Sequence, residues 1–316
     1  MPAVYAVKNR DRNVRLSSTS GGVFRALAEH AIAAGAAVYG ASFDESMRVV
    51  QRRATSMSEC RSFSGSKYVQ SATEGIFPQV RSDLLAGRPV LFSGTPCQVA
   101  GLQSFLEMNA VHGDLLTVDL VCHGVVSPEL WAEHIAMLES RLGEPVRDFL
   151  FRDKACGWRR SGSAAVTDSG TVRGPWVHAF REVFDSNFAL RPSCAECRFA
   201  SCVRVGDITL GDYWGIENIH PEFDDDIGVS VVFANSPNGV KALAAIKHGL
   251  DVIPVRLVDT LQAPLMAPTP LSPRSEDFWT SYARFGYEKT LRRFTSAGRV
   301  RRIVRYVKRV LGSRQP

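Results

Sequence analysis

The chain has 316 residues, 45% hydrophobic and 22% charged, a composition that can bury one large core or two small ones and is not that of a disordered or fibrous chain. Its formal charge of +6 is unevenly spread: residues 288–316 hold ten Lys or Arg and one acid, which leaves 28 basic and 31 acidic residues, a charge of −3, for positions 1–287. A basic face on the folded body is therefore not implied, and no nucleic-acid partner is expected.

The opening MPAVYAVKNRDR has no apolar signal region, and no run of about 18 uncharged apolar residues occurs. A cytoplasmic, reducing location with free thiols is the expectation. Residues 14–22, VRLSSTSGG, lead into GVFRALAEHAIAAG, where Val23, Phe24, Leu27, Ala31 and Ile32 recur at helical spacing. A glycine-bearing turn feeding a helix N-terminus suits a phosphate, and capping by Ser20 or Thr19 is the plain structural alternative. Strands are expected over 36–43 and 48–55, and the polar loop SGSKYVQS (64–71) carries Lys67, either a partner for a ligand anion or a solvated side chain.

PVLFSG (89–94), the turn TPCQ and the helical VAGLQSFLEM place Cys97 near a helix N-terminus. The unit repeats with LLTVDLV (115–121), CHG, and a helix opened by Ser127 and Pro128. Apolar strands alternating with helices predict a parallel sheet buried on both faces, and both turns then leave from the carboxyl edge where ligands of such sheets bind. Cys97 and Cys122 would share that rim. Each also reads as a small buried apolar residue, or Cys97 as a nucleophile with His123 as its base, although no third orienting residue is visible.

From about 146 the segments are short and turn-punctuated, with a hairpin signal at Asp168-Ser169-Gly170, predicting an antiparallel extension that includes DITLGDYW. Within it, RPSCAECRFASC concentrates Cys194, Cys197 and Cys202 in nine residues. A Cys-x-x-Cys pair supplies two ligands where a closed site needs about four, so Cys97 and Cys122 are candidates for the others. Cys60 and Cys156 are expected to be structural, and Asp207 and Asp212 to cap a strand end. IGVSVVFAN (227–235) and a helix led by Pro237 return to α/β character. In 291–311, apolar Leu291, Phe294, Val300, Ile303, Val304, Val307, Val310 and Leu311 alternate with arginines and lysines, the pattern of an interfacial amphipathic helix for an anionic membrane surface or an acidic partner. The fold class expected is α/β, a core rich in parallel strands with an antiparallel β extension and a C-terminal amphipathic helix.

The succession SSTSGGVFRALAEHAIAAG, VYGASFD, GSKYVQS, LFSGTPCQVAGL, VDLVCHGVVSP and RPSCAECRFASCVRVGDITLGDYWG resembles the coenzyme F420 hydrogenase/dehydrogenase beta subunit family, over about residues 3–240. The likeness is greatest to bacterial members of polysaccharide biosynthesis loci. It implies a flavoprotein oxidoreductase that passes electrons between a 4Fe-4S cluster, FAD and coenzyme F420 or another organic substrate. Cys97, Cys122, Cys194 and Cys197 match the family's cysteine motifs as cluster ligands, with Cys202 outside the usual pattern. Ser20, Gly21, Gly22 and Lys67 match segments that the resemblance assigns to contacts with FAD or the deazaflavin. The expected organisation is a flavin-binding half (1–145), an integrated β-rich iron–sulfur and substrate half (146–287) and a basic tail (288–316). Many relatives begin with a ferredoxin-like segment bearing two cysteine clusters, and none precedes residue 60, so a separate electron carrier, protein or diffusible, is expected as partner. With the tail on anionic lipid, the location would be the inner face of the plasma membrane. The same four sulfurs would also accept zinc, and the alternative function is a non-redox protein of surface polysaccharide assembly.

Overall fold

Strands form where β-branched and apolar residues run together, and polar or proline-bearing turns stop them: AVYAVKN is followed by RDR, AVYGASF by DES, VLFSG by TPCQ and SVVFA by NSP. A computed structural model of the chain describes residues 2–298; the amphipathic pattern beyond Gly298 lies outside the described residues. Eleven strands are described: β1 (Ala3–Asn9), β2 (Ala37–Phe43), β3 (Val49–Ala54), β4 (Val90–Gly94), β5 (Leu115–Leu120), β6 (Val146–Asp153), β7 (Gly162–Thr167), β8 (Gly170–Arg173), β9 (Ile208–Asp212), β10 (Ser230–Ala234) and β11 (Leu250–Pro254).

Eight of them form one mixed sheet in the order β11-β1-β10-β9-β5-β4-β2-β3. Its centre, β2, β4, β5 and β9, is parallel, and the outer pairings are antiparallel. Side-chain alternation gives each face its own core. Val38, Leu91 and Val118 pack under the helices Val23–Ala33 and Pro237–Ile246, while Tyr39, Val90 and Phe92 pack under Ile76–Leu85 and Pro96–Met108. The parallel arrangement expected for 89–94 and 115–121 is present, with Val90 to Gly94 in register against Leu115 to Asp119.

The antiparallel extension is a separate three-stranded sheet, β6-β7-β8, covered by helices Pro128–Leu142, Pro175–Asp185, Ser275–Phe285 and Tyr287–Phe294. Trp131, Phe151 and Phe180 are fully buried there, and a fully buried Phe contributes about 1.5–3 kcal/mol. One segment lies elsewhere than its pattern suggests. DITLGDYW supplies β9, which pairs parallel with β5 and antiparallel with β10 inside the main sheet. Its short, turn-punctuated pattern predicts the antiparallel extension, yet Asp207 accepts from Thr117 N, Thr117 Oγ1 and Ser236 Oγ, so the polar group that opens β9 is satisfied within the main sheet.

Candidate functional site

Adjacent parallel strands β4 and β5 end at the same edge, so the turns that follow them are neighbours. The first turn is a capping box in which Thr95 and Gln98 satisfy each other's backbone, setting Pro96 and Cys97 in the first turn of the helix. Cys97 is exposed, and its sulfur lies 3.2 Å from Thr95 Oγ1. The second turn holds Cys122, His123 and Gly124. Gly124 has φ +134°, and an added Cβ would lie 3.3 Å from Cys194 Cβ, so only glycine lets the two cysteine segments approach this closely.

Backbone pairing unites these segments with a third. Val126 is bridged to Val69 on one side and Leu190 on the other, and Arg191 N donates to Val125 O. The Lys67 loop, the turn after β5 and the approach to Cys194 thus run side by side.

The thiols of Cys97, Cys122, Cys194 and Cys197 occupy one electrostatic neighbourhood. Burial pushes Cys122 up to about 12, against a Gly124 N–H that favours its thiolate, and the other three cysteines push it the same way as burial. Burial also raises Cys194, with Val125 N–H opposing and Cys197 and Cys97 adding to the rise. Both sulfurs are thus disfavoured as lone thiolates and would be relieved by a cation. Among the described residues, no three His, Cys, Asp or Glu side chains converge tightly enough to hold a single metal ion as they stand. Four thiols with backbone N–H groups on two of them are nonetheless the donor chemistry that a soft or polynuclear metal centre takes.

The remaining cysteines go elsewhere. Cys202 donates to Leu265 O and packs with Trp158 and Tyr213. Cys60 is buried under Phe63, and Cys156 is exposed. His123 Nε2 meets Asn187 Oδ1 at 2.7 Å, a satisfied polar group rather than the base of a nucleophile.

A second cluster lies against the first. Ser20 does not cap the helix at Val23; its Oγ donates to Val229 O, and Gly21 N donates to Ser230 Oγ. A Cβ on Gly21 would stand 2.3 Å from Val7 O, and Gly22 takes φ +79° to start the helix. Thr19 Oγ1 meets Ser66 Oγ, joining this turn to the lysine loop. Lys67 Nζ donates to the carbonyls of Ser62, Ser64 and Gly65 and lies over the Phe43 ring, while burial pulls its pKa down to about 8.

Three residues near this turn were silent in the sequence. Lys154 Nζ donates to Arg15 O, Ser20 O and Ile227 O, and burial draws its pKa to about 7. Arg152 is buried against Asp212 and the Trp214 ring, and Tyr68 stacks on Phe184 at 4.2 Å. Asp212 is thus the partner of a buried arginine. A charge on an exposed-looking strand end and an aromatic in a polar loop carry no local signal; only the meeting of β6 with β9 and the 64–71 loop makes them neighbours. Among the described residues no helix is long and apolar enough to cross a membrane.

The family model that describes the C terminus of the coenzyme F420 hydrogenase/dehydrogenase beta subunit matches residues 87–254, which include all four clustered thiols. No curated protein matches the chain. Among solved structures, a chain of the F420-reducing nickel–iron hydrogenase complex from Methanosarcina barkeri aligns with a TM-score of 0.55 at 17% identity, over 91% of this chain and 89% of that one. At that identity the likeness is one of fold.

Proposed function

The chain belongs to the coenzyme F420 hydrogenase/dehydrogenase beta subunit family, a family of oxidoreductase subunits, and from that premise we propose that it is an iron–sulfur flavoprotein oxidoreductase. Cys97, Cys122, Cys194 and Cys197 would hold one 4Fe-4S cluster, and Ser20, Gly21, Gly22 and Lys67 would border FAD. The cluster would supply one-electron exchange and the flavin two-electron exchange with coenzyme F420 or another organic substrate.

The observation that carries this reading is that four thiols from three distant segments share one neighbourhood at the carboxyl edge of β4 and β5. A lone tetrahedral zinc requires sulfurs about 3.8 Å apart, from a Zn–S bond of about 2.3 Å. A cluster that takes one thiolate per iron accepts sulfurs set more widely. The Gly124 and Val125 N–H groups would donate to ligating sulfurs and stabilise their charge. The Lys67 loop, paired with Val126 through Val69, would form a wall common to both cofactors, which would favour short electron paths. Lys67 and Lys154 would supply positive charge beside the diphosphate of FAD, and the buried turn around Ser20 would limit water.

Electrons would enter or leave through a separate protein or a diffusible carrier, with the exposed Cys97 edge the natural side. The basic segment beyond Gly298 would hold the protein at an anionic membrane surface on the cytoplasmic side.

The test is an absorption spectrum of anaerobically prepared protein before and after dithionite, with iron, sulfide and FAD analysis. A yellow-brown protein that bleaches is expected. One zinc without sulfide, or a colourless protein after reconstitution, would sink the reading.

A further inference from the structure

The loop from Cys194 to Arg204 has little regular structure beyond a short turn at Pro192–Cys194, yet two of its thiols share the neighbourhood of Cys122 in the turn after β5. One side chain ties that loop to the strand. Arg204 has a side chain 1% exposed and faces Asp119, 0% exposed, at 3.3 Å. Its Nη2 donates to Leu120 O at 2.8 Å, two residues before Cys122. Its Nη1 donates to Phe199 O and Ser201 O inside the loop, and its Nε to Thr209 Oγ1 on β9. Asp119 completes the joint by accepting from Gly206 N, where an added Cβ would stand 2.8 Å from Asp119 N.

A buried ion pair adds little net stability over an apolar pair of equal volume, because both charges lose their water; its best-attested use is to fix register. The planar fork of arginine makes bonds in set directions, so holding the carbonyls at 199 and 201 and the carbonyl at 120 at once sets the distance between loop and strand. Lysine cannot reproduce that fork.

We propose that Arg204, clamped on Asp119, is the positioning residue that registers the Cys194–Cys197 loop against Cys122. The inference rests on the reading of these thiols as one ligand set. It names a residue outside the set on which that set depends.

The experiment uses the full chain, prepared anaerobically, as parent, Arg204→Gln, Arg204→Lys and, as control, Arg198→Gln, whose side chain is exposed in the same loop. In iron-free protein, diamide oxidation traps disulfides, and peptide mass mapping scores those joining Cys122 to Cys194 or Cys197. Iron and sulfide are then measured after reconstitution. Arg204→Gln is expected to reduce both about tenfold, the scale on which groups supporting metal ligands act, with Arg204→Lys intermediate and Arg198→Gln at the parent's level.

Parental trapping and cluster content in a folded Arg204→Gln protein overturn the proposal. Should that variant not fold, parental values in Arg204→Lys do the same. An absence of trapping in the parent removes the shared neighbourhood and the proposal with it. A parent that takes up no iron or sulfide, but whose trapping still depends on Arg204, overturns the proposed function and leaves the positioning role standing.

Discussion

The hydroxyls of Thr19 and Ser66, 47 residues apart, meet at 3.0 Å and close the glycine turn before the first long helix onto the Lys67 loop. Both segments are candidates for flavin contact, and this bond is their direct link. Removing it with Thr19→Val or Ser66→Ala should cost about 0.5–1.5 kcal/mol in FAD affinity, roughly twofold to thirteenfold. Fluorescence titration of FAD into flavin-free protein checks this. Unchanged affinity would separate the two segments functionally.

The cysteines divide into two groups. Serine at position 97, 122, 194 or 197 should lower iron and sulfide to a small fraction of the parent's content, since an alcohol is a poor ligand for iron beside thiolates. Cys156→Ser and Cys202→Ser should retain both, because Cys202 donates to Leu265 O and Cys156 lies at the surface. Elemental analysis and the dithionite-bleached absorbance decide it. Cluster loss in Cys202→Ser alone would redraw the ligand set.

Lys154 joins three backbone carbonyls around the Ser20 turn. Lys154→Met removes the donors and leaves Ser20 O and Ile227 O without a partner in a partly buried place, while Arg15 O keeps its bond from Ser18 N, a loss of about 1–3 kcal/mol. Urea unfolding should show this as a lower midpoint with an unchanged slope, together with weaker FAD binding. A stability loss with full FAD affinity would make Lys154 a strut without a role in the cofactor site.

Acid should act through Asp83. Hydrogen bonds from Arg53 hold its pKa below the usual carboxylate value, with burial opposing and Tyr39 and Arg88 assisting. A depressed carboxylate contributes stability that is present above its unfolded pKa of 3.8 and is lost as pH falls through the lower folded value. Asp83→Asn should therefore be less stable than the parent by about 1.5–3 kcal/mol at neutral pH, the difference closing below pH 3.8. Thermal melts across that range test the sign; a gap that widens in acid would refute it.

The basic C-terminus can be removed only from residue 299 onward, because Leu291 is 0% exposed and Ala297 2% exposed within the core beside the three-stranded sheet. Deleting 299–316 should abolish salt-sensitive binding to anionic liposomes and leave iron, sulfide and flavin content intact. Liposome co-sedimentation at low and high salt measures it. A tail-less protein that still sediments would rule out the membrane role.

The sequence by itself determined the repeated strand–turn–helix units that carry Cys97 and Cys122. Apolar runs buried on both faces and a Ser-Pro helix start are local signals, and they needed no tertiary context. The hairpin at Asp168-Ser169-Gly170 was legible for the same reason: β7 ends at Thr167 and β8 begins at Gly170. What only the tertiary structure decided was partnership between distant segments. β9 carries the short, polar pattern of the antiparallel extension, and it lies instead inside the main sheet between β5 and β10, where Thr117, Ser236 and Asn235 satisfy Asp207 and Thr209. Lys154, Arg152 and Arg204 carried no motif, because a buried cation is marked by the acceptors around it, and those come from residues up to 139 positions away. Periodicity records which face of an element avoids water; it holds no record of which polar group waits on the other side.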